Sequence, residues 1–158
     1  MSVPAGLTVT RCADESRCGD ILKLVHEAFG GLTPPSGALK ETIDDVAARF
    51  KAGPVLIAEA EGELVGSVFC GLKGNGLYLT RMAVKPARQR QGVGRALMAA
   101  AEAEARRMGA PRLTLRVRLN LPANRAYFES LSFRVTGQGQ DPGRSPYETM
   151  ERRLASAV

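Results

Sequence analysis

The chain has 158 residues, 44% hydrophobic and 24% charged, a composition typical of a globular domain with a sizeable core. Its net charge of +6 suits an anionic partner, and no apolar run approaches the roughly 20 residues that span a bilayer. Three cysteines (Cys12, Cys18, Cys70) without metal-ligand spacing and a single histidine, His26, exclude the usual metal sites. The N-terminus lacks the basic and apolar regions of a secretory signal. We therefore expect one domain, residues 1–158, in a reducing cytoplasm.

Periodicity and turn residues divide the first half of the chain into strands and helices. Apolar residues recur at helical spacing over residues 16–29 and again over 39–51, where Ile43, Val46, Ala47 and Phe50 are expected to share one side. The predicted strands are Leu7–Arg11, Val55–Ala60, Leu64–Leu72 and Leu77–Val84. Short turns at Glu61-Gly62 and Gly74-Asn75-Gly76 indicate that the last three strands are antiparallel neighbours.

The second half begins with a long predicted helix, from about Gly92 to Met108. Its apolar stripe should pack on the sheet and consists of Val93, Leu97, Ala100, Ala101, Ala105 and Met108. Further along we predict a strand at Leu113–Arg118, a helix at Ala123–Ser130, and strands at Phe133–Thr136 and Pro146–Leu154. No internal repeat or linker divides the chain.

The most informative segment is Gln89–Arg95, between the fourth strand and the long helix, which we call the basic turn. The first N–H groups of a helix have no intrahelical partner, and the helix dipole places partial positive charge there. Gly92 and Gly94 let an anion approach those amides without meeting a Cβ, and Arg88, Arg90 and Arg95 add positive charge. The segment predicts a phosphate-binding site; the alternative is a solvated basic loop.

The basic turn differs from the commonest phosphate-binding motifs. A nucleotide P-loop needs Lys-Ser/Thr after its last glycine, and a dinucleotide fingerprint needs a third glycine, whereas Arg95-Ala96-Leu97 follows here. The run Gln89-x-x-Gly92-x-Gly94 instead resembles the Gln/Arg-x-x-Gly-x-Gly/Ala signature of the GNAT family of N-acetyltransferases. That signature binds the pyrophosphate of acetyl-coenzyme A (acetyl-CoA).

A second segment, Leu121–Phe133, resembles the family's Asn-x-x-x-Tyr-x-x-x-Gly-Phe motif. The element order follows the family over nearly the whole chain, and the specific residue match is confined to about residues 77–133. The resemblance implies an α/β (α+β) fold with a mixed, mostly antiparallel sheet of six or seven strands and about four flanking helices. It also implies a V-shaped cleft between the fourth and fifth strands and, in many relatives, homodimers paired through the C-terminal strands.

The resemblance also assigns the cofactor contacts. Backbone groups of Met82, Ala83 and Val84 are expected to pair with the pantetheine arm of acetyl-CoA, although these residues are equally well explained as strand core. The pyrophosphate is expected to contact Gln89, Arg90, Gln91, Gly92, Val93, Gly94 and Arg95. Asn124 takes the position of an asparagine that contacts the cofactor; it could equally satisfy local amides at the helix start, and Asn120 is a rival for the role.

The Leu121–Phe133 segment departs from the family motif at two positions. The family's tyrosine, which often donates a proton to the departing sulfur, is replaced by Phe128, and Tyr127 lies one residue earlier, roughly 100° around the helix. Ser132 replaces the usual glycine. Phe128 is expected to line the cofactor site without donating a proton, which leaves water, a backbone amide or Tyr127 as the donor.

The sequence offers three candidates for the residue that removes a proton from the acceptor. Many relatives carry a glutamate on the fourth strand, but Tyr78–Val84 contains no acid. Glu59 on the second strand is the candidate base, with Glu27 and His26 as rivals. An acceptor amine of low pKa would need no base.

Three functions follow from these observations, in order of preference. The first is acetyl-CoA-dependent N-acetyl transfer to a primary amine, by direct attack in a ternary complex. The second is a catalytically weak or inactive acyl-CoA-binding module, because Phe128 and the acid-free strand depart from the family. The third is a basic nucleic-acid-binding domain. It is the least favoured, because only 5% of residues are aromatic and single-stranded nucleic acid is usually bound by stacking on aromatic side chains.

Overall fold

The computed structural model describes residues 6–32 and 35–155 of the chain. Within these ranges it has four α-helices: α1 (Cys18–Phe29), α2 (Ile43–Ala52), α3 (Val93–Arg107) and α4 (Pro122–Ser130). The strands are β1 (Leu7–Cys12), β2 (Val55–Ala60), β3 (Glu63–Lys73), β4 (Gly76–Val84), β5 (Arg112–Arg118), β6 (Arg134–Gly139) and β7 (Tyr147–Arg153). No helix in the described ranges is long and apolar enough to cross a membrane.

The strands form a seven-stranded mixed sheet in the order β1-β2-β3-β4-β5-β7-β6. The pairs β1–β2, β2–β3, β5–β7 and β6–β7 are antiparallel. The pair β4–β5 is parallel and is made by Leu77 opposite Leu113 and Tyr78 opposite Thr114. The predicted fold class, a mixed and mostly antiparallel sheet of six or seven strands with about four helices, is confirmed.

The described residues form two compact units, one made of residues 6–32, 35–71 and 79–104 and the other of residues 72–78 and 105–155. In the first unit, Ile21, Leu24 and Val25 of α1 and Val46 of α2 are buried with Phe69 of β3. Helix α2 starts at a capping box, because the Thr42 and Asp45 side chains and backbone amides bond each other at 2.9 Å and 3.3 Å. The turn between β2 and β3, Glu61-Gly62, has left-handed backbone at both residues, as a tight hairpin requires.

Helix α3 packs closely on β3 at Gly66. A Cβ at this position would lie 2.7 Å from Val93 Cγ1 and 3.0 Å from Leu97 Cδ1, so only glycine allows the contact. Val93 and Leu97 are themselves buried. The start of α3, and with it the basic turn, is therefore fixed against the sheet of the first unit.

The second unit is organised around β5 and β7, whose Leu113, Leu115 and Met150 are buried. Glu151 on β7 receives hydrogen bonds from Arg112 at 3.0 Å and Arg134 at 3.1 Å. Burial raises the pKa of Glu151, but the hydrogen bonds and charges of Arg134 and Arg112 outweigh it and hold the pKa below its usual value. The three strands β5, β7 and β6 are thus linked by one carboxylate.

The predicted elements are all present, and the differences concern their ends and faces. The first two predicted helices each begin with a short 3₁₀ turn, Glu15–Arg17 and Gly37–Lys40, because Asp14 and Ser36 cap those turns. Ile43 does not join the buried side of α2: its side chain is 54% exposed, because it is the first residue of the helix and precedes the turn that packs inward through Val46.

Candidate functional site

The basic turn follows β4 through a 3₁₀ turn, Pro86–Arg88, and its last three residues are the first residues of α3. Arg90 and Gly92 both have left-handed backbone, with φ of 64° and 85°. The first hydrogen bond of α3 runs from the Ala96 N–H to the Gly92 carbonyl at 3.0 Å. The amides of the first three helical residues, Val93 to Arg95, therefore have no intrahelical acceptor and carry the positive end of the helix dipole.

Three arginines lie close to these amides in the sequence. Arg90 and Arg95 are exposed and Arg88 is half-buried. None of the three makes a side-chain hydrogen bond or ion pair to another residue in the ranges 6–32 and 35–155. Uncompensated positive charge beside free amides is the arrangement that a diphosphate requires. The residues present thus fit the pyrophosphate part of acetyl-CoA.

Strand β4 carries a backbone irregularity immediately before Met82. Arg81 has a left-handed φ of 52°, which is uncommon for a residue with a side chain. Side chains alternate in a regular strand, yet Thr80 accepts a hydrogen bond from Arg49 of α2 while the next residue, Arg81, bonds Glu41 just before α2. The left-handed residue therefore directs two consecutive side chains of β4 toward α2 and the residue just before its N-cap.

Glu41, Arg49 and Arg81 form what we call the arginine cluster. Glu41 Oε1 accepts hydrogen bonds from Arg49 Nη2 at 2.9 Å and from Arg81 Nε at 3.1 Å. The Glu41 side chain is only 9% exposed, and its Oε2 is buried without a hydrogen-bond partner among the described residues. Arg49 also lies over the Phe69 ring, 5.0 Å from its centroid.

A concavity of about 340 Å³ adjoins this cluster. It is lined by Gly37, Lys40, Glu41, Asp45, Ala48 and Arg49, from the 3₁₀ turn before α2 and from α2 itself. His26 of α1 lies nearby, with its Nε2 3.1 Å from the Glu41 carbonyl. The concavity thus combines charged side chains of both signs.

Helix α4, in the second unit, ends in a Schellman motif. The Phe133 N–H donates to the Phe128 carbonyl and the Ser132 N–H to the Glu129 carbonyl, both at 3.0 Å. Ser132 has a left-handed φ of 70°, the conformation for which the family's glycine is suited. The Phe128 and Phe133 rings are in edge-to-face contact, with centroids 5.8 Å apart. The helix end therefore places the Phe128 ring against Phe133.

The three predicted site residues of α4 differ in exposure. Phe128 is half-buried against the rings of Phe133 and Tyr127, whereas the Tyr127 side chain is 36% exposed. Asn124 is exposed and makes no side-chain hydrogen bond within the described residues. The residue that caps α4 is Leu121, without a side-chain hydrogen bond, so Asn124 does not satisfy amides at the helix start.

The predicted base, Glu59, lies on β2 at an irregularity of the β2–β3 pairing. Its Oε2 is 3.4 Å from Arg17 Nη2, and the side chain is 31% exposed. The cysteines Cys12, Cys18 and Cys70 are all free and buried. Burial, reinforced by Glu104 and opposed by Arg11, raises the pKa of the Cys70 thiol to about 12; burial also raises the pKa of Cys18.

The sequence analysis missed the arginine cluster. Arg81 gave a signal, because a charged residue in the middle of an otherwise apolar strand needs a partner. Glu41 gave none, since it precedes α2 and looks like a surface acid. The contact that joins them depends on the left-handed backbone at Arg81, which local sequence does not predict.

Comparisons with known proteins agree with this geometry. The model of the acetyltransferase (GNAT) family matches residues 20–133. Among solved structures, the ribosomal-protein-S18-alanine N-acetyltransferase of Escherichia coli is 21% identical, with a TM-score of 0.78 and 96% of each chain covered. YncA of Salmonella typhimurium, solved with its cofactor acetyl-CoA, is 25% identical, with a TM-score of 0.76 and 97% and 96% of the two chains covered.

A third structure is the PaiA N-acetyltransferase of Thermoplasma acidophilum in complex with coenzyme A. It is 16% identical, with a TM-score of 0.78, and the alignment covers 98% of this chain and 100% of that one. No curated protein sequence matches the chain at a significant level. The family model spans well over half of the chain and includes β4, the basic turn and α4, so the chain belongs to the acetyltransferase (GNAT) family.

Proposed function

We propose that this acetyltransferase transfers the acetyl group of acetyl-CoA to a primary amine by direct attack. The observation that carries the proposal is the basic turn, where free helix amides lie beside Arg88, Arg90 and Arg95. Within residues 6–32 and 35–155, these three arginines make no side-chain hydrogen bond or ion pair. Such a site binds a diphosphate without a metal ion or a lysine. The alternative of an inactive acyl-CoA-binding module is not favoured, because the family and the solved relatives are acetyltransferases.

The cofactor contacts divide into backbone and side-chain groups. Val93, Gly94 and Arg95 would donate amides to the pyrophosphate, and Arg90 and Arg95 would add charge. The backbone of Met82, Ala83 and Val84 would pair with the pantetheine arm. Asn124, which is exposed and has no side-chain hydrogen bond to any described residue, would supply a side-chain amide. The bound group supplies an acetyl thioester, and these residues hold it in place.

Direct transfer requires no nucleophile on the protein. The acceptor nitrogen forms a bond to the acetyl carbonyl carbon, the carbon–sulfur bond breaks, and the sulfur leaves with the electron pair. Cys70 is unsuited to act as an intermediate acyl carrier, because a thiol with a pKa of about 12 is protonated at neutral pH. We expect Cys70→Ala to keep kcat within about twofold, and initial-velocity lines for the two substrates to intersect. Parallel lines or loss of turnover would indicate an acyl-enzyme.

The departing thiol needs little help, since a group with a pKa near 8.5 leaves readily at neutral pH. Where a proton donor contributes, we propose Tyr127, because its hydroxyl belongs to the exposed ring and Phe128 packs on Phe133. Tyr127→Phe should lower kcat with little change in KM for acetyl-CoA. Phe128→Tyr is the matched reciprocal change and should not raise kcat. The opposite pattern would assign the family position to Phe128 instead.

Glu59 stays our candidate base. An amine with a pKa near 10.4 is almost wholly protonated at pH 7, and neutralising it costs about 4–5 kcal/mol. Glu59→Gln should therefore lower kcat/KM for acceptors of high pKa and leave arylamine acceptors unaffected. Equal effects on both classes would show that Glu59 contributes only through its contact with Arg17.

Two further expectations accompany the proposal. Three free, buried cysteines fit a reducing compartment, for which we propose the cytoplasm. Strand β6 ends the sheet order, which suits pairing with a second copy in a homodimer. Light scattering of the purified protein measures its oligomeric state.

The proposed activity is tested by thiol release from acetyl-CoA with a panel of amines. The panel contains amino acids, their amides, polyamines, arylamines and peptides, and mass spectrometry identifies the product. We expect amine-dependent release with at least one class. Tight coenzyme A binding with no transfer to any amine would instead support the acyl-CoA-binding module.

A further inference from the structure

We propose that the acceptor amine carries a carboxylate group and that Arg81 binds it. The inference rests on the proposed function, because it concerns the acceptor of the same reaction. Arg81 directly precedes Met82, the first of the three residues proposed to pair with the cofactor arm, so a group bound at Arg81 lies one residue along β4 from them.

The arginine cluster is only partly neutralised. Both guanidinium groups share one oxygen, Glu41 Oε1, whereas a saturated arginine–carboxylate pair would use both oxygens in a bidentate contact. Glu41 Oε2 has no partner in the described parts of the chain. Two positive charges therefore meet one negative charge, and one positive charge is left without a counter-charge in the cluster.

The donor nitrogens of the Arg81 guanidinium group differ in whether they are bonded within the protein. Its Nε donates to Glu41, and its two terminal nitrogens have no partner among the described residues. The side chain is 31% exposed, so these nitrogens remain accessible. Terminal guanidinium nitrogens present two parallel N–H groups, the geometry that a carboxylate accepts best.

The neighbouring concavity also favours a negative group. Lys40 lines it, is exposed, and makes no hydrogen bond or ion pair within residues 6–32 and 35–155. Asp45 is occupied by the capping box of α2, where it accepts from the Thr42 N–H at 2.9 Å. Among the residues that line the concavity, Lys40 and Arg49 balance Glu41 and Asp45 in charge, and Arg81, which is bonded to Glu41, adds one positive charge beside it.

The backbone at Arg81 supports a role beyond joining β4 to α2. A left-handed residue with a Cβ costs about 1–2 kcal/mol relative to regular strand backbone. Thr80 already links β4 to α2 through its hydrogen bond from Arg49, so a second link at that cost is not needed for the fold alone. The irregularity brings a guanidinium to this face of the strand, where a ligand can use it.

The test compares acceptors that differ only in the carboxylate. Each amino acid is assayed for coenzyme A release beside its α-amide and its decarboxylated amine, and peptides with an acidic second residue are assayed beside the matching amide peptides. We expect kcat/KM for the acid to exceed that of its amide by at least about tenfold, as for one charge-assisted bidentate contact. The two arms separate a free amino acid from an acidic peptide as the source of the carboxylate.

The variant Arg81→Gln should abolish this preference while the Kd for coenzyme A changes by less than about twofold. Arg81→Lys should restore part of the preference, because it keeps the charge but loses the two-pronged contact. Arg11→Gln is the matched control, an ion-paired arginine of the same unit, paired with Glu104, that should change neither quantity.

Each other outcome overturns the inference. Acetylation of amides or polyamines as efficiently as of acids would show that the acceptor needs no carboxylate, and the proposed function would stand. An acid preference that persists in Arg81→Gln would place recognition elsewhere. Coenzyme A binding without transfer to any amine would overturn the proposed function and this inference together.

Discussion

Arg81 and Arg90 share an uncommon left-handed backbone conformation, which has a different consequence at each residue. Both are left-handed, with φ of 52° and 64°. At Arg81 the conformation turns the side chain toward Glu41, which holds its Nε at 3.1 Å. At Arg90 the conformation shapes the turn before α3, and the exposed side chain makes no hydrogen bond or ion pair within the described residues.

The difference separates two kinds of cationic site. In the basic turn, backbone amides supply fixed positive ends and the arginines add mobile charge, which suits a diphosphate that is released after each reaction. In the arginine cluster, a buried carboxylate fixes the guanidinium groups in one geometry, which suits selection of a particular acceptor. Arginine therefore contributes to cofactor affinity in the basic turn and to orientation of the acceptor in the arginine cluster.

The largest expected effect comes from Gly92→Glu. The substitution adds a side chain to a left-handed position and a negative charge beside the free amides. We expect the Kd for coenzyme A to rise by about 100-fold or more, through loss of charge-assisted hydrogen bonds. Isothermal titration measures the Kd, and circular dichroism should show a retained fold.

Gly62→Glu is the control for this change, since Gly62 is also left-handed, with φ of 78°, and has open space around it. It should cost similar stability and leave coenzyme A affinity unchanged. A weakened coenzyme A affinity in the control would mean that strain rather than position explains the result. An unaltered affinity in Gly92→Glu would mean that the basic turn is not the pyrophosphate site.

A smaller effect is expected from removing the mobile charge. Arg90→Gln with Arg95→Gln should raise the Kd for coenzyme A about tenfold, because exposed ion pairs contribute up to about 1 kcal/mol each. The salt dependence of the Kd should also become shallower. Lys23→Gln with Lys51→Gln removes the same net charge from α1 and α2 and should change the Kd by less than about twofold; equal effects would point to net charge alone.

The smallest effect concerns another left-handed residue, Ser132, which follows α4 and has no ligand role in this account. Ser132→Gly relieves the left-handed strain and should stabilise the protein by about 0.5–1 kcal/mol, after the entropy that glycine loses on folding. Urea denaturation measures the change.

Ser130→Gly is the comparison for Ser132→Gly. Ser130 lies in the last turn of α4, so glycine there should destabilise the protein by about 0.5 kcal/mol. If both variants change the free energy of unfolding in the same direction, the Schellman motif does not determine the effect.

Local sequence patterns were sufficient to predict the order of the elements and the basic turn. The turn could be predicted because its parts are adjacent in the chain: a strand, two glycines, arginines and a helix start. The stripe of α3 was predicted for the same reason, and Val93, Leu97, Ala101 and Ala105 are buried. Buried Ala96 and Met98 fall outside that stripe, because α3 is covered more widely than one face.

Contacts between distant segments could not be predicted in this way. Glu41 and Arg81 are 40 residues apart, and their contact requires both the capping box that starts α2 and the left-handed residue in β4. The directions of Tyr127 and Phe128 depend on the Schellman motif, which forms although Ser132 is not glycine. In both places, backbone geometry set by tertiary contacts overrides the preference of the residue itself.

A titration of nitrogen-15-labelled protein with coenzyme A examines the basic turn itself. If the diphosphate binds there, the amide resonances of Gly92, Val93, Gly94 and Arg95 should shift most, together with those of Met82 to Val84. If these amide resonances do not shift while saturating coenzyme A shifts resonances elsewhere in the chain, the basic turn is not the pyrophosphate site.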